Sequence, residues 1–201
     1  PGKLMACSLH LRAIYYSWFL DYWWKKMNNF THLHVHTQFS LLDGAAKIPD
    51  LVSYAKELGM TSLAITDHGV MYGAVDFYQE CKKQGIKPIL GCEVYVTTGS
   101  HLERNNRGLF HLILLAENLE GYHNIMKMVS LSQLEGFYYK PRVDKDILRA
   151  HSKGVICLSA CIAGELPVLI QQGNMDGARR CLEEHIEIFG KENYFLEIQN
   201  H

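Results

Sequence analysis

Ile89-Leu90-Gly91-Cys92-Glu93-Val94-Tyr95-Val96 reads as a β-strand with an acid set inside an otherwise apolar run. What flanks it decides the fold class. Ahead of it, residues 48–58 carry Ile48, Leu51, Val52, Ala55 and Leu58 at helical spacing, with Pro49 suited to the first turn and Gly59 as the stop. A short β-rich run at 62–66 and a second helical stretch at 74–84 then lead into the quoted strand. Alternation of this kind is the pattern of an α/β domain built on a largely parallel sheet. Behind the strand, 97–108 is polar and without helical periodicity, so the apolar run 110–116 is expected to return as a hairpin-like strand with no crossover helix. Further outward, helices are expected at 119–131, 144–151, 165–172 and 175–189, and strands at 30–35, 155–159 and 194–199. Strands interleaved with helices in this way fit a distorted β/α barrel and equally an open doubly wound sheet; periodicity does not separate the two.

With 201 residues, the chain is long enough for one domain with a sizeable core and too short for two ordinary domains and a linker. Hydrophobic residues make up 48% and charged residues 20%, the composition of a folded globular protein. Net charge is −1, so the chain lacks the overall positive field of a non-specific nucleic-acid binder, and any DNA contact is local. Six scattered cysteines form neither a disulfide scaffold nor a CxxC knuckle, which fits a reduced, cytoplasmic setting. All three tryptophans fall within residues 1–26, where Arg12, Asp21, Lys25 and Lys26 interrupt the apolar run. The interruptions leave far fewer than the ~20 continuous apolar residues of a bilayer span, and there is no signal-type cleavage site. Residues 1–26 therefore read as an extension ahead of a start at Met27, outside the fold, with an interfacial amphipathic helix as the alternative. The domain is assigned to 27–201, with no membrane partner.

His32, His34 and His36 alternate with Leu33 and Val35, and the period of a strand places the three imidazoles on one face. Two histidines so spaced chelate one zinc, manganese or iron ion, or else line a polar sheet face. Ligand-type residues recur at the next strand ends: Asp67 and His68 after 62–66, Glu93 within the quoted strand, His111 opening 110–116, and Cys161 after 155–159. Burial of an unpaired carboxylate costs several kcal/mol, so Glu93 calls for a cation or a basic partner. In β/α barrels strand-end side chains converge at one mouth, where two or three divalent ions would activate a bridging water and clamp a phosphodiester. Asp43 and Asp67 fit as ligands or as groups that orient ligating histidines. Lys140 and Arg142, beside Phe137, Tyr138 and Tyr139, form a candidate grip on a phosphate backbone, with a packed loop as the alternative. His10, His101, His123, His151 and His185 lack ligand partners in the sequence and are placed at the surface.

The segments His34-Val35-His36-Thr37 with Ser40, Thr66-Asp67-His68-Gly69, Gly91-Cys92-Glu93 and Phe110-His111-Leu112 resemble, in order, the motifs of the polymerase and histidinol phosphatase (PHP) domains. More narrowly, Phe39-Ser40-Leu41-Leu42-Asp43-Gly44, Met71-Tyr72-Gly73, Glu135-Gly136-Phe137-Tyr138-Tyr139-Lys140-Pro141-Arg142 and Leu158-Ser159-Ala160-Cys161 are similar to the front end of bacterial replicative DNA polymerase III alpha subunits. The resemblance covers essentially 27–201 and implies a distorted β/α barrel of the PHP type, incomplete at its C-terminus. It implies metal ligands at His34, His36, Asp43, His68, Glu93, His111 and Cys161, with His36, His68 and Glu93 central to catalysis; His32 lies outside the set. A later Asp-x-His that closes the family's site is not reached before Glu197-Ile198-Gln199-Asn200-His201. The implied activity is metal-dependent 3′→5′ exonuclease proofreading during DNA replication. The implied partners are the DNA 3′ end, the remaining polymerase domains and other replicase subunits. A metal-stabilised structural module without nuclease activity and a free-standing phosphatase are the competing readings.

Overall fold

The structure, a computed structural model, describes residues 30–199; the expectations for residues 1–26 lie outside them. In chain order the elements are α1 (Ile48–Glu57), β1 (Ser62–Ile65), α2 (Ala74–Gln84), β2 (Lys87–Thr97), β3 (Leu109–Ala116) and α3 (Leu119–Leu134). Then come β4 (Arg142–Val143), α4 (Lys145–Ala150), β5 (Val155–Leu158), α5 (Glu165–Gln171), α6 (Met175–Phe189) and β6 (Tyr194–Phe195). Local chemistry sets the helix starts. Pro49 occupies the first turn of α1, and the side chains of Asn118, Asp144 and Asn174 accept backbone N–H bonds at the N-termini of α3, α4 and α6.

The sheet has the order β1-β2-β3-β5-β6, and β4 pairs with β2. Five strands run one way; β3 runs against them, antiparallel to both β2 and β5. The polar 98–108 segment thus makes the hairpin-like return that its lack of helical periodicity implied. Strand alternation sorts side chains onto two faces. Cys92, Val94, Val96, Leu112 and Leu114 pack outward with Ile125 and Met128 of α3 and Ile188 and Phe189 of α6. Ile113 and Leu115 point to the inner face and share a smaller core with Ala64, Leu158 and Ala160. Glu93, paired with Ile113, and His111, paired with Tyr95, continue that inner face beyond its apolar floor.

Segment 30–35 departs from the expected regular strand. The Ala64 N–H donates to the His32 carbonyl (3.0 Å) and the Thr66 N–H to the Val35 carbonyl (2.8 Å). Two residues of β1 therefore oppose three of this segment, and the surplus residue is taken up in a bend at His34. The alternation breaks there. His32 is exposed and packs edge-on against Phe30, apart from His34 and His36. The α/β class is as expected. Hydrogen bonding among the described residues leaves the sheet open between β1 and β6, but the His34 and Glu197 side chains join its two ends at 2.7 Å.

Arg142 is a correction to the expected phosphate grip. It is fully buried, and its guanidinium donates to the carbonyls of Gly136 (2.9 Å), Asn106 (3.1 Å), His101 (2.8 Å) and Glu103 (2.5 Å). These bonds spend four of the five N–H groups on the 98–108 loop and Gly136, and full burial keeps the fork from a ligand. Two histidines assigned to the surface also turn inward. His185 is 1% exposed, donates through Nδ1 to the Cys181 carbonyl and stacks on Tyr194; the His101 ring meets Asp144 at 2.6 Å. Arg142→Lys is expected to cost at least about 3 kcal/mol, because a lysine cannot serve four diverging carbonyls. Chemical denaturation of the two forms measures it.

Candidate metal centre

Backbone pairing brings the ligand-type residues together. Glu93 donates its N–H to the Asp67 carbonyl (3.1 Å) and accepts from the Gly69 N–H (2.8 Å), so β2 holds His68 directly alongside. His111 sits across β3, with its N–H bound to the Ala163 carbonyl (3.0 Å). The bend at His34 turns His34 and His36 toward each other, Nε2 to Nε2 at 3.1 Å. All of these rings meet at Glu93, which is 1% exposed. Glu93 Oε2 lies 2.5 Å from His34 Nε2 and 3.0 Å from His36 Nε2. Glu93 Oε1 contacts His111 Nδ1 and lies 3.6 Å from His68 Nδ1.

The surroundings determine which ring nitrogens face inward. Ser40 Oγ donates to Asp67 Oδ1 (2.6 Å), so its oxygen is left to accept from the His68 N–H and from Nδ1 of His36, each at 3.2 Å. With its proton on Nδ1, His36 directs the Nε2 lone pair at the centre. Asp67 is consumed in this support: it also accepts from the Thr37 N–H (2.6 Å) and the Thr37 hydroxyl (2.7 Å). It therefore orients, through Ser40, and does not itself face the centre. Gly44 makes the supporting loop possible. A Cβ there would lie 1.9 Å from the Thr37 carbonyl oxygen, so only glycine lets the chain fold back and present Asp43 to His68 Nε2 at 3.0 Å.

The donors fit a cation. His34 Nε2, His36 Nε2 and Glu93 Oε2 crowd within hydrogen-bond distance of one another, and a proton serves only one pair of them at a time. Burial disfavours a charged His34, but its bonds to Glu197 and Glu93 outweigh burial and raise the ring to about 9. On the other side, burial holds His68 below its ordinary value and hence neutral, while its Nδ1 is buried without a hydrogen-bond partner and faces Glu93 Oε1 at 3.6 Å. Two lone pairs facing each other in this way fit a shared positive ion. His34, His36 and Glu93 form one group of potential ligands and His68, Glu93 and His111 a second; the two have Glu93 in common. Cys161 adjoins the second, with Sγ 3.8 Å from His111 Nδ1. It is turned there by Ala160, whose φ of 61° is left-handed. Burial keeps the Cys161 thiol above its usual pKa.

Two lining residues escaped sequence reading. Glu197 holds His34 at 2.7 Å and has a second oxygen, Oε2, buried without a partner; the clue was an acid within the closing apolar run. Tyr95, 6% exposed, packs against His68 (ring centroids 5.9 Å apart) and His111 (5.2 Å), as its alternation with Glu93 would have indicated. Lys140 Nζ lies 5.1 Å from the Tyr95 ring centre, so of the expected phosphate grip only this half adjoins the centre. Glu165, Cys181 and His185 form a third group of ligand type away from it. There Lys145 already neutralises Glu165 at 3.0 Å, and the His185 Nδ1 proton is committed to a carbonyl.

A family profile described as PHP domain matches residues 32–201. The DNA polymerase III subunit alpha of Treponema pallidum is 48% identical over 177 residues, 86% of this chain and 15% of that protein. That of Thermus aquaticus is 49% identical over 179 residues, again 86% and 15%. The chain thus spans about 15% of the length of these curated relatives. A solved structure described as a metal-dependent phosphoesterase from Bifidobacterium adolescentis is similar at TM-score 0.38 and 22% identity, over 51% of this chain and 33% of that one.

Ser40→Ala removes the acceptor that sets the His36 tautomer. Titration with zinc or manganese is expected to show affinity weakened by about 10- to 100-fold with the circular dichroism spectrum retained; unchanged affinity would deny Ser40 that orienting role.

Proposed function

We propose, because this chain belongs to the PHP-domain family, that its histidine and glutamate centre holds divalent ions and hydrolyses phosphodiesters, acting in DNA replication as a 3′→5′ exonuclease. The observation that carries the reading is the double engagement of Glu93, one oxygen toward His34 and His36 and the other toward His68 and His111. A carboxylate used on both sides suits two neighbouring ions, with Cys161 adjoining the His68 and His111 side and Asp43 orienting His68 from its far nitrogen, Nε2. Mixed nitrogen, oxygen and sulfur donors favour zinc, manganese or iron over magnesium or calcium. Divalent ions, held by His34, His36, His68, Glu93 and His111, would supply a water of lowered pKa, toward ~7, and positive charge to offset that of the phosphate.

The chain's own residues supply position and exclusion. Asp67 and Ser40 keep the His36 lone pair inward, and His68 and His111 rest against the wall formed by Tyr95. Lys140 has no carboxylate within ion-pair distance among the described residues, so its ammonium is available to a phosphate approaching over Tyr95. The substrate class is then a DNA strand presenting its 3′ end. The partners are the rest of a polymerase chain, of which relatives such as the Thermus aquaticus subunit have about 85% outside the matched span, and other replicase subunits. No helix among the described residues is long and apolar enough to cross a membrane, and a cytoplasmic setting is proposed.

One observation favours a second reading, in which metal serves stability alone. His34 and Glu197 link the two open ends of the sheet, so ions bound at His34 would brace the fold without any reaction. The readings separate in the full-length protein stripped of metal and reloaded. Hydrolysis requires release of 3′ nucleotides from single-stranded DNA that depends on zinc, manganese or iron and falls more than about 100-fold in His36→Ala. A lower melting temperature on chelation, with no nucleotide release after reloading, would leave only the structural role.

A further inference from the structure

The segment Tyr138-Tyr139-Lys140 forms a one-residue turn beside the centre. The Tyr138 N–H donates to the Lys140 carbonyl at 3.1 Å, and Tyr139 at the tip has a left-handed φ of 61°. Glycine or asparagine would adopt that conformation readily, whereas a large aromatic residue there is strained. Core packing does not explain the choice, because Tyr139 is 64% exposed. The ring is nevertheless held. The Arg107 guanidinium lies over it at 4.2 Å from the ring centre, Arg107 Nη2 donates to the Tyr139 hydroxyl (2.7 Å), and Tyr138 abuts it edge-on at 4.7 Å. With 64% of the residue exposed despite these contacts, much of the ring is accessible and it is oriented in advance.

The turn is also docked on the centre. Pro141 packs so closely on Gly69, the residue after His68, that a Cβ on Gly69 would lie 2.6 Å from Pro141 Cγ. Lys140 Nζ lies over Tyr95, and Tyr95 touches both His68 and His111. An oriented aromatic ring, an ammonium with no acid partner among the described residues and a second cation against the ring occur together at the edge of a site suited to phosphodiesters. Aromatic stacking platforms combined with backbone-tracking cations are how single-stranded nucleic acid is held without sequence preference.

We propose that this turn is a nucleotide subsite: Tyr139, braced by Arg107, stacks a nucleobase of a single-stranded substrate, and Lys140 neutralises the phosphate between that nucleotide and the one at the metal centre. The proposal rests on the phosphodiesterase reading for its register, but binding tests it independently of catalysis. Arg107 takes the place of Arg142 in the grip of Lys140 and Tyr139 that the sequence indicated.

The full-length protein is titrated into single-stranded oligonucleotides carrying the fluorescent base 2-aminopurine at each of the last three 3′ positions in turn. Quenching is expected at one of them. Tyr139→Asn keeps the left-handed turn and removes the ring; it is expected to abolish that quenching and weaken binding by about 10- to 100-fold, whereas Tyr139→Phe retains both. Lys140→Ala is expected to reduce the slope of log affinity against log salt by about 0.7 to 1. In steady state, the ratio of kcat/KM for the oligonucleotide to that for bis(p-nitrophenyl) phosphate falls in Tyr139→Asn by the same factor as binding. Quenching and ratio both unchanged in Tyr139→Asn would overturn the subsite even if both substrates are hydrolysed. Quenching that depends on Tyr139 in a protein that hydrolyses neither substrate would uphold the subsite and discard the phosphodiesterase reading.

Discussion

A carboxylate at 1% exposure on the inner face of a sheet is a constraint that the rest of this structure answers. Glu93 cannot be left alone in a low-dielectric setting, since an unpaired buried charge costs several kcal/mol at least. Four imidazoles from three separate segments converge on it, and their contacts hold it ionised well below the ordinary carboxylate range against the opposing effect of burial. The antiparallel return of β3 is what sets His111 on the same face, opposite Tyr95. Had a helix crossed over instead, the next strand would have run parallel and presented a different end there.

The irregular backbone is concentrated around this charge. The surplus residue at His34, the left-handed Ala160 before Cys161 and the close approach at Gly44 each break regular geometry where a ligand-type side chain has to be aimed. The regular parts carry the opposite duty. Val94, Val96, Leu112 and Leu114 bind the outer face of the sheet to α3 and α6 and keep the inner face in register. Arg142 extends that scaffold to the polar loop, where its guanidinium gathers the carbonyls of His101, Glu103 and Asn106 while also holding that of Gly136. A chain of rigid contacts thus runs from the loop through β4 and β2 to Glu93.

The sequence by itself determined most of the elements, because hydrophobic periodicity is a local property. The helices at Ile48–Glu57, Ala74–Gln84 and Met175–Phe189 follow it to within a residue. It also marked His34, His36, His68, Glu93 and His111, since ligand-type residues at the ends of apolar runs are conspicuous wherever they lie. Periodicity misled at 30–35, where His32, His34 and His36 read as one face; a single surplus residue, invisible to a two-residue period, separates them. What only the tertiary structure decided were contacts between residues far apart in the chain. Arg142 and Lys140 are indistinguishable as basic residues beside aromatics, yet one is consumed by distant carbonyls and the other stands over Tyr95. Glu197 joins His34 across 163 positions, and the inward tautomer of His36 depends on a serine whose own proton is taken by Asp67. Charge and hydrogen-bond satisfaction are settled by spatial neighbours, and the neighbours exist only once the sheet has formed.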